Sequence, residues 1–198
     1  MDGTTQTLED VTYDGDLTAT ITAMNPRYGN VEGGETLTFT GTNFIADPTK
    51  YTIIIDGIEC PVSSATETSL TCTTGDRPGL VESSLEIFVE GMGLVSNRGL
   101  LFRYVSFWSA ESTWGGEFAP LDGESVYVPT GLNLLVDIDR TPLLNLVYVE
   151  GGLIFPSDPD PEHERFFEAH YVFVNNGFME VGTEEFPYTS KLTITMHS

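Results

Sequence analysis

The sequence predicts an all-β protein in which an immunoglobulin-like sandwich is followed by a parallel β-helix. Two observations predict this order. Short β-branched segments separated by turn residues fill the first half of the chain, and a Val-x-Val-x-x-Gly motif recurs in the second half, where it starts at Val126, Val147 and Val172. The 20 glycines and 11 prolines supply the turns. No stretch shows a convincing helical period, so we expect little helix.

Residues 19–105 are predicted to form the sandwich. About seven short strands follow one another at intervals of roughly ten residues, which is typical of an immunoglobulin-like domain. Asp56-Gly57 is a strong hairpin signal between the predicted strands 51–55 and 58–60. The only two cysteines, Cys60 and Cys72, lie in this part of the chain. The residues alone leave two alternatives open, a short-loop disulfide or two reduced thiols.

This first module resembles an IPT/TIG domain. The resemblance is carried by Asn25-Pro26, Gly33-Gly34, Leu37-Thr38-Phe39 and Gly41-Thr42-Asn43-Phe44. Asp56-Gly57-Ile58-Glu59-Cys60 and Ser69-Leu70-Thr71-Cys72 are similar to the cysteine-bearing hairpin of the plexin and fibrocystin type. The resemblance implies a disulfide between Cys60 and Cys72, an extracellular or cell-surface location, and a role as a spacer or protein-binding module.

Residues 1–18 are expected to be a linker and the remnant of a preceding module. Within them, Val11-Thr12-Tyr13-Asp14 is similar to the last strand of another IPT/TIG domain. A string of such domains is therefore expected upstream.

The second module, residues 106–198, is predicted to stack its repeated strands in parallel. The six valines of the three motifs are expected to share one core, with Tyr127, Tyr148 and Phe173 forming an aromatic ladder on the opposite face. A fourth apolar alternation at 192–196 starts 20 residues after Val172. We expect it to pair with the preceding strand and to leave its other edge open. Because no closing glycine follows it, we also expect the chain to be a piece of a longer protein.

This second module resembles a G8 domain, a family named for eight glycines. The matching glycines are Gly115, Gly116, Gly123, Gly131, Gly151, Gly152, Gly177 and Gly182. The resemblance implies the start of a longer right-handed β-helix. It also implies membership of the fibrocystin-like receptors or of the cell-surface proteins that degrade hyaluronan.

The net charge of −22 limits the classes of partner. It argues against nucleic acid and against anionic membrane surfaces, both of which need lysine and arginine. It permits calcium or cationic partners. No apolar run is long enough to span a membrane. The expected partners are therefore neighbouring IPT and β-helix modules of the same protein, with glycans or self-association as further possibilities.

Two groups of residues are candidates for binding. Asp158, Asp160, Glu162 and Glu164 form the densest acidic run, which is interpreted either as a calcium site or as a solvated loop. Tyr127, Tyr148 and Phe173 are interpreted either as a glycan platform or as packing residues.

Catalysis has less support in the sequence. Asp137 and Asp139 would share one face of a strand, as an acid and base pair for glycan cleavage would require, or would simply face water. No histidine has metal-ligand spacing. We therefore expect a non-catalytic architectural and binding module. The alternatives are part of a hyaluronidase-like protein, with His170 and carboxylates in a groove, or a subunit of an extracellular filament.

Overall fold

The computed structural model describes residues 18–77, 79–97 and 99–198, and the remnant strand predicted in residues 8–17 lies outside them. The regular secondary structure of the described chain is almost entirely β-strand, as predicted. The 3₁₀ helices at Pro48–Lys50 and Glu111–Trp114 are each a single turn.

The first domain is an antiparallel sandwich. Its strands are β1 (Thr20–Asn25), β2 (Tyr28–Asn30), β3 (Thr36–Thr42), β4 (Tyr51–Ile55), β5 (Ile58–Glu59), β6 (Val62–Ala65), β7 (Ser69–Thr73), β8 (Leu85–Val89) and β9 (Gly93–Leu94). One sheet has the order β1-β3-β7-β6 and the other β5-β4-β8-β9. Alternate residues of both sheets point into a shared core that includes Leu37, Ile53 and Leu70. The predicted immunoglobulin-like sandwich is therefore present.

A disulfide joins Cys60 and Cys72 inside this sandwich. Both cysteines are buried in the core between the two sheets. The loop that they close spans 12 residues, for which loss of unfolded-state entropy contributes about 3 kcal/mol of stability. Of the two alternatives that the residues left open, the structure has the disulfide.

The second domain consists of two parallel sheets. Its strands are β10 (Arg103–Phe107), β11 (Val126–Val128), β12 (Asn133–Leu135), β13 (Arg140–Val149), β14 (Gly152–Phe155), β15 (Glu164–Val174), β16 (Phe178–Val181) and β17 (Lys191–Met196). From β10 onward the chain alternates between a sheet that contains β10, β12, β14 and β16 and a sheet that contains β11, β13, β15 and β17. The predicted parallel pairing is present. The two sheets do not close into a ring, so the structure shows stacked parallel sheets and not a complete β-helix.

The valines of the repeated motif stack as predicted in the first two coils only. Val147 and Val149 lie opposite Val126 and Val128 in register, and all four are buried. In the third coil Val172 is half-buried and Val174 is 43% exposed. The prediction of one shared core for all six valines is therefore wrong at Val174.

The register of β17 explains this exception. β17 pairs with β15 over Glu164–Ala169, so Leu192 lies opposite Arg165 and not opposite Val172. The last five residues of β15, 170–174, have no strand partner on that side among the described residues. The fourth alternation therefore continues the sheet but does not cover the third motif.

A replacement in the valine column tests this packing. Val149→Asp places a carboxylate at a position with no exposure, and we expect it to lower the free energy of unfolding by at least about 3 kcal/mol. Val174→Asp is the matched control, because it makes the same change one coil away at an exposed position. Urea denaturation measures both. Equal stability of the two variants would contradict the packing described.

The two domains share a sheet. Strand β2 of the first domain pairs in parallel with β10, so that the second sheet has the order β16-β14-β12-β10-β2. The predicted boundary between residues 105 and 106 falls within β10. The hydrogen-bonded ladder therefore runs from one domain into the other without an intervening linker.

Candidate functional site

A buried carboxylate lies where the two domains meet. Glu180, on β16, is 7% exposed. Its Oε1 accepts a hydrogen bond from the Tyr28 hydroxyl at 2.5 Å and lies 3.3 Å from Arg27 Nη2. Its Oε2 lies 3.5 Å from Arg103 Nε. Three groups from the first domain and the junction strand therefore converge on one side chain of the second domain.

Aromatic rings complete this Glu180 cluster. The Arg27 guanidinium lies over the ring of Phe186 at 4.1 Å from its centroid, and the Arg103 guanidinium lies over Phe178 at 4.6 Å. Both rings belong to the second domain. The two arginines thus make charged and cation–π contacts across the same junction.

The cluster changes the ionisation of Tyr28. Burial is the largest cause, and the hydrogen bond to Glu180 adds to it; together they raise the pKa of Tyr28 well above its ordinary value of 10. Burial likewise raises the pKa of Tyr104 to about 12. Both phenols are therefore neutral in the folded protein over a pH range in which they ionise in the unfolded chain.

This shift predicts a loss of stability at alkaline pH. A raised pKa in the folded state gives a stabilising contribution that is complete below the unfolded value near 10 and declines as pH rises toward the folded value. Tyr28 contributes to this decline between pH 9 and pH 11. Tyr28→Phe should reduce the decline in urea unfolding over this range. Tyr171→Phe, at an exposed position, is the control, and an identical decline in the Tyr28 variant and the wild type would contradict the assignment.

A second buried contact crosses the junction from Arg77. Its Nε lies 2.9 Å from Asp56 Oδ2, and both side chains are almost completely buried. Arg77 Nη1 also donates to the carbonyl of Gly131 in the second domain at 3.0 Å, and Nη2 donates to the carbonyl of Val81. Burial raises the pKa of Asp56, while the Ser84 N–H and the Arg77 charge oppose that rise. Arg77 thus connects loop 79–84 with the turn at Gly131 of the second domain.

The aromatic ladder lies on the outer face of the β11-β13-β15-β17 sheet. The ring centroids of Tyr127 and Tyr148 are 5.9 Å apart, and those of Tyr148 and Phe173 are 5.4 Å apart with an interplanar angle of 18°. Beside the ladder is a shallow groove of about 560 Å³ lined by Leu146, Tyr148, His170, Tyr171, Phe173 and Met196. Tyr148 and Phe173 are stacked and cover one face of each other's ring, whereas Tyr127 is tilted relative to Tyr148 and is 59% exposed. Glycan binding by this ladder stays a prediction.

The four carboxylates of the acidic run do not converge. Asp158 lies 3.6 Å from Arg165, Glu162 is paired with Lys191, and Glu164 accepts a hydrogen bond from the Thr193 hydroxyl. Asp160 accepts a hydrogen bond from the backbone N–H of Glu162. The described part of the chain holds no group of three or more carboxylate, histidine or cysteine side chains arranged to bind a metal ion. The geometry therefore favours the solvated-loop interpretation of this run over the calcium site.

Asp137 and Asp139 also have separate roles. They lie in the turn between β12 and β13 and not in a strand, so the expectation of a shared strand face is wrong. Asp137 accepts hydrogen bonds from the backbone and hydroxyl of Ser109, and Asp139 lies 3.1 Å from His163 Nε2. His170 is on the outer face, with its Nδ1 3.2 Å from the carbonyl oxygen of His197. The two carboxylates and His170 do not form a common groove.

Nearly every cation of the chain is already paired. The sequence has eight lysines and arginines; Arg98 lies outside the described residues, and the other seven each make an ion pair. The carboxylates outnumber them at 30. Within the described ranges, no lysine or arginine is therefore left to receive an anionic ligand without giving up a partner.

Sequence reasoning missed the Glu180 cluster and the Arg77 contact. The partners are far apart in the chain, as with Tyr28 and Glu180 at a separation of 152 residues. One signal was available. Arginine is scarce in this acidic chain, and Arg27, Arg77 and Arg103 all lie in the predicted first module, residues 19–105.

The protein is a two-domain all-β protein. Its first domain is an antiparallel sandwich with a buried disulfide, and one sheet joins this domain to a stack of parallel strands. Residues 19–104 match the IPT/TIG domain family, and residues 113–198 match the G8 domain family. The chain therefore matches the IPT/TIG family in its first domain and the G8 family in its second, in that order.

Its relatives are much longer proteins. The chain is 29% identical over 192 residues to Fibrocystin-L of Homo sapiens, covering 97% of the chain and 4% of that protein. It is 27% identical over 146 residues to Fibrocystin of Canis lupus familiaris, covering 73% of the chain and 3% of that protein. The chain thus spans a small part of the curated relatives that it matches. No described helix is long and apolar enough to cross a membrane.

Solved structures resemble parts of the chain. The full extracellular region of plexin A4 aligns with 44% of the chain and 8% of plexin A4, at a TM-score of 0.40 and 23% identity. An auxiliary nutrient binding protein from Bacteroides thetaiotaomicron aligns with 46% of the chain and 22% of that protein, at a TM-score of 0.38 and 22% identity.

Proposed function

We propose that the chain is a non-catalytic architectural module of a larger cell-surface or extracellular protein, in which the IPT/TIG and G8 domains form one stiff unit. The observation that carries the proposal is the sheet shared by both domains. Three backbone pairs join β2 to β10, and the Glu180 cluster and the Arg77 contact lie beside this ladder. A hinge needs residues that can change their backbone angles freely. The junction strand is instead held by hydrogen bonds on both edges.

The G8 domain would be the opening coils of a parallel β-helix. Its strands alternate between two parallel sheets, and successive strands of one sheet are offset by 21, 25 and 27 residues in register. Repeats of this length that contact only their neighbours are typical of solenoids. In such a solenoid the IPT/TIG domain would cover the first coil, because β2 occupies the outer edge of the sheet.

An extracellular or cell-surface location is supported by the disulfide and by the relatives. Disulfides persist in oxidising compartments and are rare in the cytosol. The chain aligns over most of its length with Fibrocystin-L. The partners expected in that location are the neighbouring modules of the same protein, with glycans as a further class.

Self-association is a second candidate function, as in a filament subunit. Strand β17 is the last in its sheet, and its outer edge has no partner among the described residues. Ile194 and Met196 on this strand are 43% and 51% exposed. Open strand edges with apolar side chains are sites of strand addition. Sedimentation over a range of protein concentrations distinguishes the two functions, because a filament subunit has to associate.

A hyaluronidase-like function has less support. Hyaluronan is an anionic polymer, whereas the described lysines and arginines are all paired with carboxylates. The carboxylates considered as an acid and base pair contact Ser109 and His163 instead of one another.

The stiff-unit proposal is tested at Glu180. We expect the wild type to unfold in a single calorimetric transition and to show one interdomain distance in small-angle X-ray scattering. Glu180→Gln removes the negative charge that pairs with Arg27 and Arg103. We expect it to lower the free energy of unfolding by about 2 kcal/mol and to separate the unfolding transitions of the two domains. Glu185→Gln, at an exposed position of the same segment, is the control. Two independent transitions already present in the wild type would rule the proposal out.

A further inference from the structure

A pocket of about 220 Å³ lies between the two domains. It is lined by residues 81–83 of the IPT/TIG domain and by three stacked glycine turns of the G8 domain, at Gly131, Gly151 and Gly177. Residues with polar side chains line it from both domains, among them Glu82, Arg103, Thr130, Asn133, Glu150 and Asn176. Pockets at domain interfaces that combine bare backbone with a few polar groups are common ligand sites.

The stacking of the coils requires glycine in two of the turns that line this pocket. A Cβ atom at Gly151 would lie 2.2 Å from the carbonyl oxygen of Leu132, and one at Gly177 would lie 2.5 Å from the carbonyl oxygen of Gly151. These contacts require glycine at both turns. The glycine positions therefore contribute only backbone to the pocket, and the side chains that these turns bring to its lining are those of Thr130, Glu150 and Asn176.

The rim of the pocket is held in place before any ligand binds. Arg77 donates hydrogen bonds to the carbonyls of Val81 and Gly131, one on each side of the pocket, and is itself paired with Asp56. Asn133 Nδ2 donates to the carbonyl of Tyr104 at 3.0 Å, which fixes the orientation of that amide. A ligand that enters such a site loses little affinity to ordering of the protein.

The lining selects against anions. Arg103 is the one cation among the lining residues; it lies 3.5 Å from Glu180 and covers the Phe178 ring. Glu82 and Glu150 are also among the lining residues, and the Glu150 carboxylate accepts hydrogen bonds from the Tyr127 hydroxyl at 2.5 Å and from Asn175 Nδ2 at 3.5 Å. The amides of Asn133 and Asn176 and the hydroxyl of Thr130 both donate and accept hydrogen bonds. These amide and hydroxyl groups suit an uncharged ligand whose own groups also both donate and accept hydrogen bonds. Vicinal hydroxyls have this property.

We propose that this junction pocket binds one unit of an uncharged saccharide. The site goes beyond the architectural function, so either proposal can fail without the other. A single sugar has about a dozen heavy atoms, and for a ligand of that size the expected dissociation constant is on the order of 1 mM.

The test is an NMR titration of the 198-residue chain. Methyl glycosides of glucose, galactose, mannose and N-acetylglucosamine are added to well above the expected dissociation constant, with glucuronic acid and protonated glucosamine as charged probes. We expect saturable shifts at the amides of Gly131, Gly151 and Gly177 with at least one neutral glycoside, and weaker binding of glucuronic acid. The proposal would be overturned if none of the neutral glycosides gave saturable shifts. It would also be overturned if either charged probe bound more tightly than the neutral glycosides.

A pair of matched variants locates the site. Asn176 has a φ of 59°, so Asn176→Gly removes the amide while keeping a backbone conformation that glycine adopts freely. Binding should weaken by about tenfold. Asn43→Gly makes the same substitution at the same φ in a distant loop of the IPT/TIG domain and should bind as the wild type does. Unchanged binding in the Asn176 variant, with both variants folded, would show that the saccharide binds elsewhere.

Discussion

Three backbone residue pairs between the parallel strands β2 and β10 determine how the rest of the molecule is arranged. They place a short strand of the sandwich at the end of a parallel sheet and so fix the position of every later coil relative to the first domain. Around them the side chains are unusually polar for a buried region. Glu180, Tyr28 and two arginines occupy one side, and Arg77 with Asp56 occupies the other. Buried charges of this kind are costly unless paired, and their geometry then tolerates little rearrangement.

The parts of the fold that are periodic in sequence were predictable. Val126, Val128, Val147 and Val149 are buried in register because a β-branched alternation followed by a glycine turn has few other ways to bury itself. The disulfide followed from the likeness of its hairpin to the IPT/TIG family. Both predictions depend on interactions within a short stretch of chain or between identical repeats.

The register of the last strand was not predictable by the same means. The spacing of 20 residues from Val172 to Leu192 suggested equivalence, whereas the actual offset between β15 and β17 is 27. The segment between β16 and β17 contains its own turns, with hydrogen bonds between Thr183 and Phe186 and between Thr189 and Ser157. The turns use additional residues between β16 and β17, so the number of residues between Val172 and Leu192 does not give the register of β17. The Glu180 cluster and the junction pocket depend on residues from opposite ends of the sequence, so local patterns contain little information about them.

The shared sheet also bears on the order in which the protein is made. A ribosome completes the IPT/TIG domain before any of the parallel strands after β10 has been synthesised, and domains generally fold as units in that order. The edge of β2 is then a preformed template on which β10, β12, β14 and β16 can be added one coil at a time. Pairing of distant strands is normally slow because long loops have to close. Growth from a template replaces that search with a series of short steps of 19 and 26 residues between β12, β14 and β16. The sandwich would then act as an intramolecular folding nucleus for the G8 domain. Substitutions that disrupt β2, a strand of the IPT/TIG domain, would therefore cause misfolding of the G8 domain.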